Sequence, residues 1–337
     1  VRETVCFDDV LLVPKYSTIE SRGTTDISVS MSPSVVLQLP VIAAPMDTVC
    51  EEDMVAAMNS AGGMGIVHRY NTIEEQVGIV KLAAGFGAEN IGAAVGVTGD
   101  YVERATELVS AGAKVICVDI AHGHHILMMR ALKSLRACLG SDAHIMAGNV
   151  ATREGYEELS DWGADSVRLG VGGGSICSTR LVSGHGIPTL QSILDCAESP
   201  RDTKIIADGG LKTSGDIVKA LAAGADFVIL GSMLAGTKQA PGDVFTRNGG
   251  KKYKVYRGMA SSDAQQDWRG KTSTPEGVST TIPYKGDVLG VLGDVRGGIA
   301  SGLSYTGART IAELQAKCEF IRQSRASQRE SFTHILL

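Results

Sequence analysis

A repeated beat constrains this chain more than any other feature: a short apolar run, a turn of glycine or polar residues, then an amphipathic stretch of helical period. The apolar runs fall at 41–44, 65–67, 91–95, 115–118, 145–147, 166–169, 205–207 and 227–229. They lack strict alternation, as parallel strands buried on both faces do. Helix signals lie between them. Thr72 stands as an N-cap with Glu75 three residues on, and the stretch from Thr213 to Ala223 is stopped by Gly224. Eight βα units close most naturally into an α/β (β/α)8 barrel, with a doubly wound open sheet as the alternative. A barrel can use all 337 residues as one domain.

Outside the beat, residues 6–14 form an apolar segment ended by Pro14, expected as a strand or lid. Residues 249–254 read as a turn between two strands. The polar stretch 260–275 is too hydrophilic for a packed connection and is expected as a mobile flap, reaching to about residue 285. Residues 310–324 carry a helical pattern, and a tail to Leu337 is expected to dock on a neighbouring molecule.

Residues able to do chemistry follow the strands: Asp47, His68, Asp119, Asn149, Cys177, Asp208 and Ser232. In a barrel these fall on the C-terminal rim, where active sites form. The loop Gly170-Val-Gly-Gly-Gly-Ser-Ile-Cys-Ser-Thr-Arg180 places four glycines in five positions and then a cysteine beside two hydroxyls and an arginine. Glycines let a backbone approach a ligand, with N–H groups facing an anion or carbonyls ringing a cation. A thiol on such a loop is a nucleophile candidate, whereas an average cysteine is an inert core residue. Asp208-Gly-Gly210 and Gly231-Ser232 follow the last two strands, where barrels bind phosphate on backbone N–H groups. By charge, Asp208 suits sugar hydroxyls better than phosphate.

The glycine loop is not a dinucleotide fingerprint, because Ser175 replaces the third glycine and no helix opens there. His122-Gly-His-His125 has only Asp119 near it at ligand spacing, which argues against a metal centre. A net charge of −5 gives no basic footprint for nucleic acid or an anionic membrane. No apolar run approaches the roughly 18 residues of a membrane span. Seven cysteines without C-x-x-C spacing read as reduced thiols of a cytoplasmic-type compartment. Rim lysines that could form a Schiff base are absent from the strand ends, which disfavours aldolase-type chemistry.

Phe7-Asp-Asp-Val-Leu-Leu-Val-Pro14, Ala43-Ala-Pro-Met-Asp-Thr48, Asp119-Ile-Ala-His-Gly123, Ala147-Gly-Asn-Val150, the cysteine loop, Ala207-Asp-Gly-Gly210, Leu230-Gly-Ser-Met-Leu-Ala-Gly236 and Tyr256-Arg-Gly-Met259 resemble the IMP dehydrogenase/GMP reductase family nearly end to end. That resemblance implies a barrel that binds a purine mononucleotide, GMP or IMP, on its rim. Cys177 would attack C2 of the base, with Thr179 and Glu276 as its catalytic partners. Ser175, Gly210, Gly231, Ser232 and Tyr256 would hold the phosphate and Asp208 the ribose. Met46, Gly258, Met259 and Ala260 would surround the base. Asp119, Ala121, Asn149 and Gly170 would face the nicotinamide of NADPH, or of NAD in a dehydrogenase. Carbonyls of Gly172, Gly174 and Cys177 resemble a K⁺ site completed by Glu330 and Ser331 of a neighbouring subunit, and a homotetramer is implied.

Within the family, the stretch 81–91 is too short for an inserted CBS pair. The flap lacks the Arg-Tyr pair with which dehydrogenases activate water: Arg269 lies between Trp268 and Gly270. Pro283-Tyr-Lys-Gly-Asp-Val288 and Arg296-Gly-Gly-Ile299 are similar to the reductase. The expected reaction is therefore GMP reduction to IMP and ammonia by NADPH. Arg257, Glu330-Ser331 and Ala260 (glycine in most dehydrogenases, serine in reductases) keep IMP dehydrogenase as the alternative.

Overall fold

A computed structural model describes residues 1–141, 143–247 and 249–331. Eight parallel strands close on themselves: β1 (Val41–Ala43), β2 (Met64–Val67), β3 (Ile91–Val95), β4 (Val115–Asp119), β5 (His144–Val150), β6 (Ser166–Leu169), β7 (Lys204–Asp208) and β8 (Phe227–Leu230). Closure comes from β8 pairing with β1 in the register Val228 to Val41, Ile229 to Ile42 and Leu230 to Ala43. All eight apolar runs are strands, and the open sheet is ruled out. Seven outer helices follow the first seven strands, α1 (Glu52–Ser60), α2 (Ile73–Gly85), α3 (Tyr101–Ser110), α4 (Ile126–Leu139), α5 (Arg153–Asp161), α6 (Thr189–Ala197) and α7 (Ser214–Ala222), and α8 (Val288–Thr306) completes the ring.

Local chemistry explains several boundaries. Thr72 and Glu75 form a capping box at α2, as Thr213 and Asp216 do at α7. Each such cap is worth about 1 kcal/mol. The helix α8 carries Arg296-Gly-Gly-Ile299 for a packing reason. A Cβ at Gly298 would lie 2.3 Å from Ser214 Cβ, so only glycine lets α8 come this close to α7. Arg296 then reaches across to the carbonyls of Ala61 and Gln38.

Outside the barrel the opening segment is a strand as expected, and two other expectations need revision. The opening strand, Val10–Leu12, has Phe320–Arg322 as its partner, so both ends of the chain meet in one antiparallel pair. The terminal helical pattern is broken accordingly: a helix spans only Ile311–Lys317, and a second, Arg325–Glu330, follows the strand. The expected docking tail lies partly outside the described residues.

The flap stretch is not a structureless connection. Ser261 caps a helix Ser262–Arg269, which Gly270 ends at φ 63°. Its buried face is Ala264 and Gln265, and the amide of Gln265 bonds Ala260 O and Ser273. A satisfied amide takes the place of an apolar stripe, so hydropathy alone conceals the helix. The hairpin around residue 249 is present, with Phe245–Thr246, Lys252–Arg257 and Ser279–Pro283 forming a three-stranded sheet beneath the flap helix. No helix among the described residues is long and apolar enough to cross a membrane.

His144 opens β5 inside the barrel, with Nε2 2.8 Å from Ser166 Oγ. Burial lowers its pKa to about 4. The unfolded chain takes up this proton near pH 6.5, the folded protein only near 4, so stability should fall as pH drops through that window. The loss is on the order of 3 kcal/mol. Urea midpoints of wild type and His144→Gln between pH 7 and pH 4.5 check this: the variant should lose clearly less, and parallel curves would refute it.

Candidate active site

The C-terminal strand ends surround a cavity of about 550 Å³. The residues assigned to substrate, cofactor and catalysis line it, whereas Asp47 and His68 do not, and Glu330 and Ser331 lie at the end of the exposed helix Arg325–Glu330. The order of strands around the barrel sets the layout. The ends of β7, β8 and β1 lie on one side of β6, and those of β5 and β4 on the other.

The cysteine loop is held open by glycine. Gly170 has φ 151°, and a Cβ there would fall 1.8 Å from the carbonyl oxygen of Asp208, so the loops after β6 and β7 touch through their backbones. Arg180 braces the loop by donating to the carbonyls of Ile187 (2.8 Å) and Val171 (3.4 Å). Cys177 is exposed at the cavity. Its thiol donates to Thr179 Oγ1 at 3.2 Å, and the Thr179 hydroxyl donates to Glu276 Oε2 at 2.7 Å. Sulfur, hydroxyl and carboxylate thus form one proton path.

That path joins segments far apart in sequence, and the backbone makes the join. Ser178 N–H donates to Glu276 O, Val278 N–H to Ile176 O, Gly258 N–H to Val278 O and Glu276 N–H to Ala260 O, all at 3.0–3.1 Å. Ala260 therefore contributes a structural carbonyl while its methyl faces the cavity. Arg257 clamps the flap helix to the rim, donating to Asp47 (2.6 and 3.0 Å) and to Asp267 (2.5 Å).

On the β7 and β8 side, Ser175 Oγ lies 3.5 Å from the Tyr256 hydroxyl, whose pKa burial raises. Gly210 and Gly231 present bare backbone beside them. On the other side, Asn149 Nδ2 donates to Asp208 Oδ2 (2.8 Å) and to Gly170 O (2.9 Å). Asp119 and Asp208 share a residue that sequence reasoning missed. Arg168 lies inside β6, donates to Asp119 (2.8 Å) and twice to Asp208 (2.8 and 3.1 Å), and is 6% exposed. Burial opposes its charge, and Cys117, Asp208 and Asp119 more than compensate. Burial likewise pushes the Asp119 carboxyl up, but Arg168 and Arg69 hold it below the ordinary carboxylate value. The overlooked signal was a charge in a four-residue buried strand, Ser166-Val-Arg-Leu, which requires a partner.

Arg69 and Tyr70 were also missed. They follow His68 at the end of β2 and line the cavity, with the Arg69 guanidinium 4.9 Å from the Tyr70 ring centroid. His68 itself is tied to Glu51 at 2.9 Å. Two of the other rim histidines have local partners: His124 meets Glu158 at 2.9 Å, and His125 accepts from Leu127 N–H at the start of α4.

A sequence model described as the IMP dehydrogenase / GMP reductase domain matches residues 4–334. The chain belongs to the IMP dehydrogenase/GMP reductase family. It is 36% identical to an inosine-5'-monophosphate dehydrogenase from Nitrosopumilus maritimus, an alignment covering 100% of the chain and 99% of the relative. It is 33% identical to a GMP reductase from Leishmania major, covering 98% and 97%. A solved cysteine-to-alanine variant of GMP reductase from Trypanosoma brucei, in complex with guanosine 5'-monophosphate, superposes with a TM-score of 0.93 at 32% identity, covering 99% of the chain and 98% of that structure. Family members are oxidoreductases that act on purine nucleotides with a nicotinamide cofactor. The first alignment spans 473 positions against 337 residues, so that relative carries inserted segments absent here.

A nucleophilic thiol must be reachable, and the seven thiols differ in this respect. Burial raises the pKa of Cys117 to about 11 and of Cys196 to about 12, and Cys50 higher still. Brief iodoacetamide treatment followed by peptide mass spectrometry should mark Cys177 and the exposed Cys138, leaving Cys50, Cys117 and Cys196 untouched until the protein unfolds. Protection of Cys177 in the folded state would contradict the geometry.

Proposed function

We propose that this protein is a GMP reductase, converting GMP, NADPH and two protons to IMP, NADP⁺ and ammonium. The observation that carries the reading is the Cys177–Thr179–Glu276 proton path beneath a flap without a water-activating Arg-Tyr pair. Arg269 ends the flap helix and faces the cavity, and Tyr70 lines the same cavity. Burial pushes the Tyr70 phenol up to about 12, which removes it as a base at neutral pH.

In this reading the phosphate sits among Ser175, Gly210, Gly231, Ser232 and Tyr256, and Asp208 accepts from the ribose hydroxyls. Met46, Gly258 and Met259 flank the base, which brings its C2 to Cys177. As sulfur adds to C2, the thiol proton passes to Thr179 and on toward Glu276, along the observed hydrogen bonds. C2 is then tetrahedral. Glu276 returns a proton through Thr179 to the 2-amino group, the C2–N bond breaks, and ammonia leaves. The nicotinamide cofactor, when bound beside Asp119, Ala121, Asn149 and Gly170, supplies a hydride to C2. Cleavage of the C–S bond then regenerates the thiolate and frees IMP.

Carbonyls of Gly172, Gly174 and Cys177 would hold a monovalent cation and keep the loop in this shape. The Gly174 carbonyl accepts the Cys177 N–H at 3.1 Å and retains a second lone pair for such a role. Glu330 and Ser331 would complete the site from a neighbouring copy of a homotetramer.

The relative named a dehydrogenase at 36% identity sustains a second reading, IMP oxidation by NAD. Purified protein mixed with each nucleotide–cofactor pair separates the two. NADPH absorbance should decline only with GMP, and NADH accumulating from IMP and NAD would overturn the proposal. Cys177→Ala should lower kcat at least about 10³-fold while still binding GMP, and Glu276→Gln should lower it roughly 10²-fold or more.

A further inference from the structure

The turn that follows β8, residues 231–240, has a face turned away from the cavity, and two lysines occupy it. Lys285, just past the strand Ser279–Pro283, donates from Nζ to the carbonyls of Ser232 (2.5 Å) and Met233 (3.2 Å). Lys254, in the strand Lys252–Arg257, donates to the carbonyls of Thr237 (3.3 Å) and Ala240. Lys254 is 3% exposed. Among the described residues neither ammonium has a carboxylate within salt-bridge distance.

Lys285 is an exposed residue, but the ammonium of Lys254 is buried among neutral carbonyls alone, which is costly, and a core of the same shape could be built without it. Its presence here fits the other face of the turn. Gly231 and Ser232 line the cavity, and the N–H groups of Ser232 and Met233 have no protein acceptor among the described residues. Within one peptide plane C=O and N–H point in opposite directions. Fixing the Ser232 carbonyl on Lys285 therefore turns the Met233 N–H away from the lysine. The cradle read above as the phosphate site consists of neutral groups, two hydroxyl side chains, a phenol and glycine backbone, and Lys212, which also lines the cavity, is paired with Asp8 at 2.8 Å. A phosphate monoester brings nearly two negative charges at pH 7.

We propose that Lys285, backed by Lys254, is a positioning residue for the substrate's phosphate. It holds the turn after β8 in the shape that presents its amides, and it supplies from behind the positive charge that the neutral cradle lacks. The proposal rests on the reading of the cavity as a purine mononucleotide site.

The test compares a ligand that carries the phosphate with one that does not. Binding of IMP and of its nucleoside, inosine, is measured by competition against labelled GMP over a range of salt, for the full-length wild type, Lys285→Met and Lys285→Arg. Lys285→Met should weaken IMP about tenfold or more, leave inosine within about twofold, and flatten the salt dependence of IMP binding. Lys285→Arg should recover most of the loss. Equal weakening of IMP and inosine would mean that the lysine only supports the fold of the turn, and unchanged IMP binding would mean that it does nothing for the phosphate; either result overturns the proposal while leaving the mononucleotide reading intact. Wild-type protein that binds neither IMP nor GMP would instead remove that reading and the proposal with it. If Lys285→Met loses its thermal unfolding transition, Lys285→Gln makes the same comparison.

Discussion

Arg168 leaves β6 inside the barrel, where its charge has little water, and meets carboxylates from β4 and β7. Asn149 from β5 bonds the same Asp208, and Arg69 from the end of β2 approaches Asp119 at 3.4 Å. One guanidinium thus ties together the ends of several neighbouring strands. Removing it would leave Asp208 without a cation and Asp119 with Arg69 alone, in a site where an unpaired charge costs about 3–5 kcal/mol. The gain is geometric. Asp119 and Asp208 are held at fixed places before any ligand arrives, and a preorganised polar group needs no reorganisation when charge develops nearby.

The opposite wall is built on another principle. Cys177, Thr179 and Glu276 are brought together by main-chain bonds between the cysteine loop, residues 276–278 and residues 258–260. These bonds do not depend on side-chain identity, so the strip can carry different flap residues without losing its register. The flap helix adds its own anchor through Asp267, Arg257 and Asp47. Any displacement of the flap is therefore transmitted to Glu276, and through it to the hydroxyl that receives the cysteine proton.

What could be read in the sequence follows from which interactions are local. Barrel strands were legible because each is an apolar run of a few residues between turn signals, and their C-terminal residues mark the rim. The cysteine loop was legible from its glycines, and the residues named from motif matching, apart from Glu330 and Ser331, line one cavity. The terminal helix was overextended because Phe320 and Ile321 continue an apolar pattern, whereas their backbone pairs with Val10–Leu12 some three hundred residues away. The flap helix was hidden because its buried face is a glutamine satisfied by Ala260 and Ser273. Arg168, Lys254 and Lys285 escaped for one shared reason. Their partners are distant acids or backbone carbonyls, and neither kind of partner leaves a trace in sequence spacing.

The charge layout bears on which half of the family's chemistry this chain performs. Asp119 and Asp208 are neutralised by Arg168 and Arg69, and cations stand behind the turn where a phosphate would lie. Between these ends the reacting sulfur is bonded only to a hydroxyl, which passes protons to a single carboxylate. A carboxylate at the end of such a path can accept a proton as sulfur adds and return it to a departing amine. Hydrolysis of the adduct would ask for more, a second base set over C2 to deprotonate water. Arg269 closes the flap helix with no tyrosine beside it, while burial holds the Tyr70 phenol protonated to about pH 12. Under the proposed reduction of GMP, one reversible proton path is all that the expulsion of ammonia requires.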